Sequence, residues 1–351
     1  MSNKTATIGL IALFIIFAAV LSAFYASALR TRELAHSLTG AEPPSNAYRV
    51  TLIAQEVDNP FWQEVKLGAS DAAKQLGITL EYTGPSRFDA SEQSRLLAKA
   101  IAAKSDAVIV QGLNEPNYQT LIDHAVQSGI GVVTVDADEP NSKREAYVGT
   151  DNRKVGQQMG KLIAADTGGV GEVGVLIGSN SINQQLRLAG LRDVTDQYPL
   201  LHIVDIRTTG NSRLRALEQT TDMLSKHPNI DAIVGFSALD GSGMAEAVKE
   251  HMELTEQAAG SIEGSTSIQS PEIVMYAFDD LPETREAIAQ CTLRGTIVQR
   301  PYEMGFEAVN QLQLRHRASS SESTQARAAT GEHYTETSLM TVNSLGLPEC
   351  P

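Results

Sequence analysis

Only two cysteines, Cys291 and Cys350, occur in the whole chain. Two thiols cannot build a disulfide framework, and neither lies in a CxxC pair or beside histidines at ligand spacing, which argues against a zinc or thiol-redox centre. Plain thiols are the simplest expectation for both, with a Cys291–Cys350 bridge left open if the domain folds outside the cell. Basic residues are outnumbered: 28 Lys plus Arg stand against 42 Asp plus Glu, a net charge of −14. No long Lys/Arg run offsets that balance, so nucleic acid lacks its electrostatic footprint. A GxxxxGK[ST] loop and a GxSxG elbow are missing, and the seven histidines contain no HxxxH pair. Gly169-Val-Gly-Glu-Val-Gly174 fits GxGxxG, but it follows a helical stretch and leads into a strand. That order is the reverse of the one that sets pyrophosphate at a helix N-terminus. These absences argue against an enzyme, and no catalytic residue, metal or cofactor is expected.

What is present describes a globular protein. Of 351 residues, 42% are hydrophobic and 20% charged, enough for a sizeable core and too many apolar groups for a disordered chain. The length suggests about two domains. The first 30 residues stand apart from them. From Thr5 to Leu29 there is no charged side chain, and about 20 such residues span a bilayer as a helix. The stretch is longer than the apolar core of most cleavable signals, although Ala26-Ser27-Ala28 offers a small-residue cleavage site. A retained single-pass anchor and a cleaved signal are both open. Lys4 on one side and Arg30 and Arg32 on the other leave the orientation unset. No cysteine lies near position 28, so a lipid-modified N-terminus is excluded. Residues 31–47, with Ala41-Glu-Pro-Pro-Ser-Asn46, read as a linker.

Beyond the linker, strands and helices alternate. Apolar, β-branched runs recur at Val50–Ala54, Ala107–Val110, Val132–Val135, Val173–Ile177, Ile203–Ile206, Ile230–Val234 and Ile273–Phe278. Between them lie amphipathic stretches such as Phe61–Leu76. Near-continuous apolar strands alternating with helices imply parallel sheets covered on both faces. The units are too many for one small sheet, so the expected fold is α/β with two Rossmann-like lobes. Glu253–Ser270 and Ala318–Gly331 break the alternation and read as solvated loops.

Open parallel sheets bind ligands at the carboxyl ends of their strands. Those ends carry Asn59, Phe61 and Trp62, then Asp136, then Asp279, then Gln299. A sugar presents an apolar C–H face to aromatic rings and a rim of hydroxyls that need donors and acceptors. Carboxylates accept from those hydroxyls, and an arginine such as Arg187 donates in a planar fork.

From about Tyr48 onward the chain resembles the ribose and galactose branch of the type I periplasmic substrate-binding proteins. The residues that carry the resemblance are Asp58-Asn-Pro-Phe-Trp62, Val135-Asp136, Tyr147-Val-Gly-Thr-Asp-Asn152, Arg187 before Gly190, Phe278-Asp279 and Thr296-Ile-Val-Gln299. The resemblance implies an aromatic pair, Phe61 and Trp62, sandwiching a monosaccharide, with Asn59, Asp136, Arg187, Asp279 and Gln299 bonding its hydroxyls. It also implies a hinge of three segments, near Thr150-Asp151, near Gln299-Arg300 and near the C-terminus. The lobes would then be 48–150 plus 300–335 and 151–299 plus 336–351.

Three positions depart from the ribose-type pattern. Ala137 stands where ribose binders have an arginine, Asn211 stands at a position that is aromatic there, and Ser237, or Asp240 one turn on, stands near a position that is usually asparagine there. These departures weaken the case for ribose itself. Lactose-repressor-type regulators share the two-lobe fold, but a helix-turn-helix would precede it, and here an apolar span does. The expected protein is an extracytoplasmic binding protein for a small polar ligand, first of all a monosaccharide, held at the cell membrane or released after Ala28. It feeds an ABC-type importer or, alternatively, signals to a membrane histidine kinase.

Overall fold

The computed structural model describes residues 48–260, 273–320 and 331–350. The apolar stretch 5–29 and the linker lie outside the described residues. Among the described residues no helix is long and apolar enough to cross a membrane.

Two sheets of six strands are built by the same winding. The first contains β1 (Arg49–Ile53), β2 (Thr79–Thr83), β3 (Ala107–Val110), β4 (Gly131–Val135), β5 (Ala146–Gly149) and a late strand, β11 (Glu332–Tyr334). The second contains β6 (Val170–Ile177), β7 (Leu200–Thr208), β8 (Ile230–Gly235), β9 (Val274–Phe278), β10 (Gly295–Val298) and β12 (Ser338–Thr341). Their spatial orders are β11-β5-β4-β3-β1-β2 and β12-β10-β9-β8-β6-β7. Every pairing is parallel except β10 with β12. β3 is buried at all four positions and β9 at all five. Val173, Val175 and Ile177 feed one hydrophobic cluster while Leu176 feeds another, as a sheet covered on both faces requires.

The helices of the first lobe are α1 (Pro60–Leu76), α2 (Ala90–Ala102), α3 (Pro116–Gln127) and α9 (Pro301–Ser320). Those of the second are α4 (Asn152–Asp166), α5 (Ile182–Thr195), α6 (Arg213–Lys226), α7 (Asp240–Gly260) and α8 (Pro282–Ala289). Each lobe contains helices packed backbone to backbone. A Cβ on Gly68 of α1 would lie 1.9 Å from the Tyr302 carbonyl oxygen of α9, and one on Gly156 of α4 would lie 2.0 Å from that of Arg187 on α5. Only glycine permits that approach.

The chain passes between the sheets three times, at 150–151, 299–300 and 335–337. The crossovers are bonded together: the Thr150 hydroxyl donates to Gln299 Oε1 at 2.8 Å, and the Thr335 amide donates to the Gly149 carbonyl at 2.7 Å.

Two expectations are corrected. Ala318–Ser320 is the end of α9, and Glu253–Gly260 is not loop but the end of α7. Its residues Glu-Leu-Thr-Glu-Gln-Ala-Ala favour a helix, and the Ser/Gly content that suggested a loop begins only at Gly260. Residues 261–272 and 321–330 lie outside the described residues. The two cysteines are not plain thiols: Cys291 and Cys350 form a disulfide with Cα atoms 5.6 Å apart. Strand β12 and the 3₁₀ turn Val342–Leu345 dock the tail on the second lobe, where Val342 joins the core and Leu345 and Cys350 pack against it. That docking brings together residues 59 apart in sequence.

Candidate functional site

Each sheet ends its fourth strand in an aspartate turned away from strand geometry. Asp136 follows β4 with φ 63°, and Asp279 follows β9 with φ 62°. Left-handed backbone is uncommon for a residue with a Cβ, though Asp tolerates it better than most. The amides still extend the ladders, Asp136 N–H to Val148 O at 3.1 Å and Asp279 N–H to Ile297 O at 2.8 Å. Arg187 of α5 is 2% exposed. Its Nε donates to Asn152 Oδ1 (2.8 Å), Nη1 to the Phe236 carbonyl (2.6 Å) and Nη2 to Gln299 Oε1 (3.3 Å). The guanidinium sits 3.7 Å above the Phe278 ring centroid, a cation–π contact.

The electrostatics follow from burial. Burial pushes the Asp136 carboxyl up to about 6, opposed by the Arg187 charge and the Asn183 hydrogen bond. Burial pushes Asp279 up to about 6 as well, opposed by Arg187 and Gln299 and reinforced by Asp136. Desolvation lowers the Arg187 pKa, and the two carboxylates pull it back. One cation thus serves two carboxylates in a site largely stripped of water. Asp136 accepts from Gln111 Nε2 at 3.0 Å and, across the cleft, from Asn183 Nδ2 at 3.3 Å. Asp279 accepts from Gln299 Nε2 at 3.1 Å.

These groups surround a cleft between the lobes. Of the ten residues expected in a site, nine line it: Asn59, Phe61, Trp62, Asp136, Arg187, Asn211, Ser237, Asp279 and Gln299. Asn59 does so while capping α1, its Oδ1 accepting from the Phe61 amide at 3.0 Å. Asn211 does not cap α6, a role taken by Ser212. Phe61 and Trp62 meet edge to face, centroids 5.8 Å apart and planes at 75°. The rings therefore form one wall and leave no room for a sugar sandwiched between them. Asp240 is the residue the structure does not bring into the cleft. It is fully buried and accepts from Thr209 Oγ1 (2.7 Å) and the Ser237 amide (2.8 Å), which braces Ser237, Ala238 and Leu239 from behind.

Gln55, Gln111, Ser181, Asn183 and Gln184 line the cleft without having been singled out from sequence. Gln55 and Gln111 follow β1 and β3, so the strand-end rule applied evenly would have found them. Asn183 lies four residues before Arg187 on the same helix, hence on the same face. The Gln111 Oε1 is buried without a protein partner, leaving an acceptor for something else. The set is one of hydroxyl-directed donors and acceptors beside an aromatic wall. Among the described residues no cluster of His, Cys, Asp and Glu has the makings of a metal site. The glycine-rich Gly169–Gly174 enters β6, and a Cβ on Gly171 would lie 2.4 Å from the Asp231 carboxylate, so those glycines serve packing.

Known proteins share this architecture. The family model described as periplasmic binding protein domain matches residues 50–315. The D-allose-binding periplasmic protein of Escherichia coli (strain K12) is 25% identical over 269 residues, covering 74% of this chain and 81% of that protein. The crystal structure of GanP, a glucose-galactose binding protein from Geobacillus stearothermophilus, is similar at TM-score 0.75 and 36% identity, covering 86% of this chain and 100% of that one. The XylFII–LytSN complex is similar at TM-score 0.73 and 30% identity, covering 85% and 99%. With its doubly wound lobes, threefold crossover and polar cleft, the chain belongs to the periplasmic binding protein domain family.

Proposed function

We propose that this chain is an extracytoplasmic sugar-binding protein that holds one sugar ring between its lobes and presents the closed form to a membrane partner. The observation that carries the reading is the cleft itself, where Asp136, Asp279 and Arg187 converge from both lobes beside the Phe61–Trp62 wall. Carboxylates and guanidinium satisfy ring hydroxyls, and the rings cover an apolar sugar face. Relatives named for allose and for glucose and galactose support it. The disulfide supports an oxidising compartment, and the uncharged stretch Thr5–Leu29 supports either an anchor or a signal that leads there. Ligand enters when the lobes part about the three crossovers, which breaks the Asn183–Asp136 contact, and closure restores it.

Two partners suit this mechanism. Delivery to an ABC-type importer accords with the relatives named for import. Signalling through a membrane sensor kinase is the second reading, favoured by XylFII being held in complex with LytSN and by a segment fit to stay in the membrane. Trp62 is the only tryptophan and lines the cleft, so the full-length chain is titrated with pentoses, hexoses, inositols and amino acids while its fluorescence is followed. A saturable change with a sugar, absent in Asp279→Ala, is the expected result; silence in fluorescence and calorimetry alike sinks the sugar reading. Affinity capture from membranes then separates the partners: a permease without a kinase removes the sensor reading, and a kinase without a permease removes the importer reading.

A further inference from the structure

A second cavity, of about 590 Å³, opens beside the cleft and shares Gln55, Gln111 and Ser181 with it. Its other walls again come from both lobes, Phe88 and Leu113 from the first and Ser179 and Asn180 from the second. The chemistry changes across the boundary. The cleft holds Asp136, Asp279 and Arg187, whereas the annex has Glu115 as its one ionisable lining residue and no Lys, Arg or His among the described residues that line it. A phosphoryl or carboxylate group would find no cation there, and an uncharged group would find the Phe88 ring, which is 39% exposed.

The walls are braced. Glu139 accepts from the Leu113 and Asn114 amides at 3.0 and 2.9 Å. A Cβ on Gly112 would lie 2.1 Å from the Asp138 carbonyl, so this loop is pressed onto its neighbour. The Phe88 amide donates to Glu56 Oε1 at 3.2 Å, and Gln185 Nε2 donates to Asn180 Oδ1 at 2.7 Å. A single sugar ring held between Asp136, Asp279 and Arg187 would leave Phe88 and Leu113 uncovered. Resting on the sugar reading above, we propose that the ligand is a glycoside. One sugar ring lies between Asp136, Asp279 and Arg187, and a second, uncharged ring, a further sugar or an aromatic aglycone, lies against Phe88 and Leu113.

Calorimetry on the full-length chain tests this with parent hexoses and pentoses, their disaccharides, their nitrophenyl glycosides and a hexose phosphate. The expected result is a disaccharide or aryl glycoside bound about tenfold or more tighter than its parent sugar; which of the two arms gains identifies the second ring. Phe88→Ala should erase most of that gain while the parent sugar stays within about twofold. Ala90→Trp, which fills the annex from its rim, should do the same and guards against a misfolded Phe88 variant. Parent sugars that bind as tightly as every glycoside, a phosphate that binds tightest, or variants that weaken parent and glycoside alike would each overturn the annex. A silent parent-sugar arm together with silent glycosides would instead overturn the sugar reading itself.

Discussion

Asp136 ends β4 of the first sheet and Asp279 ends β9 of the second, both in left-handed backbone and both beside one guanidinium, yet they are held in different ways. Asp136 accepts from Gln111 of its own lobe and from Asn183 across the cleft. Asp279 accepts from Gln299, which also takes the Thr150 hydroxyl at the crossover. The first aspartate is thus wired to the opposite lobe and the second to the hinge. The same α/β winding, used twice, yields one contact that reports closure and one that stiffens the joint. Such a division suits a protein that must open, accept a solute and close, because only one of the two carboxylates need lose a partner when the lobes separate.

Removing the shared cation is the change that breaks both sides together. Arg187→Ala leaves the buried Asp136 and Asp279 carboxyls without their cation, which costs about 3–5 kcal/mol of stability, and removes the guanidinium's charge-assisted bonds to ligand, which should weaken sugar binding by about 10- to 100-fold. Calorimetry checks this, and near-normal affinity would place the ligand elsewhere. Next in size are the two aspartates. Asp136→Ala and Asp279→Ala should each cost about 1.5–3 kcal/mol in binding, as for lost charge-assisted bonds. They differ in the unliganded protein: Asp136→Ala frees Asn183 and should enlarge the radius of gyration in small-angle scattering, whereas Asp279→Ala should not. Equal behaviour would erase the distinction between closure contact and hinge contact.

The central strands were legible in the sequence because buried parallel strands are nearly continuous apolar runs, as at Ala107–Val110 and Val132–Val135. The edge strands of the first sheet were not. Thr79–Thr83 is half-buried with a glutamate at its middle, and Glu332–Tyr334 carries three polar or amphipathic residues, so neither shows a period or a run. The strand-end aspartates were legible through their place after those runs. Asp240 lies outside the cleft lining because its side chain turns behind Ser237, which depends on how the 236–240 turn closes. The Cys291–Cys350 bond depends on a tail docking onto a distant helix end, and no local pattern encodes that.

A smaller effect separates the lobes through their helix pairs. Gly156→Ala and Gly68→Ala each force a Cβ to within 2.0 Å of a facing carbonyl, and such overpacking costs about 1–3 kcal/mol of stability. Only the first presses on the backbone of Arg187. Denaturant unfolding should therefore show both variants weakened, while sugar affinity should fall for Gly156→Ala and hold for Gly68→Ala. Loss of affinity in both would mean that helix spacing acts through lobe stability rather than through the guanidinium.

The smallest effect is also the one whose sign is easiest to mistake. Asp136 and Asp279 titrate near 6 in the folded chain, against about 3.9 for an unfolded aspartate. Between those values the folded state binds more protons than the unfolded state, so these groups make the unliganded protein more stable as pH falls from about 7 toward about 4. Surface aspartates act in the opposite direction. The hydrogen bond from Arg153 holds Asp193 below the usual carboxylate range, and whatever stability that contributes is lost on acidification. Raw melting curves mix the two, so the informative quantity is the difference between the wild type and the Asp136→Ala, Asp279→Ala double variant. That difference should shift in favour of the wild type as the pH is lowered. Sugar binding should move the other way, weakening as pH drops through about 6, because a protonated carboxyl accepts from fewer hydroxyls. Acid should therefore tighten the empty protein while loosening its hold on ligand, and a parallel rise or fall of both would mean that these carboxyls are not the groups that hold the sugar.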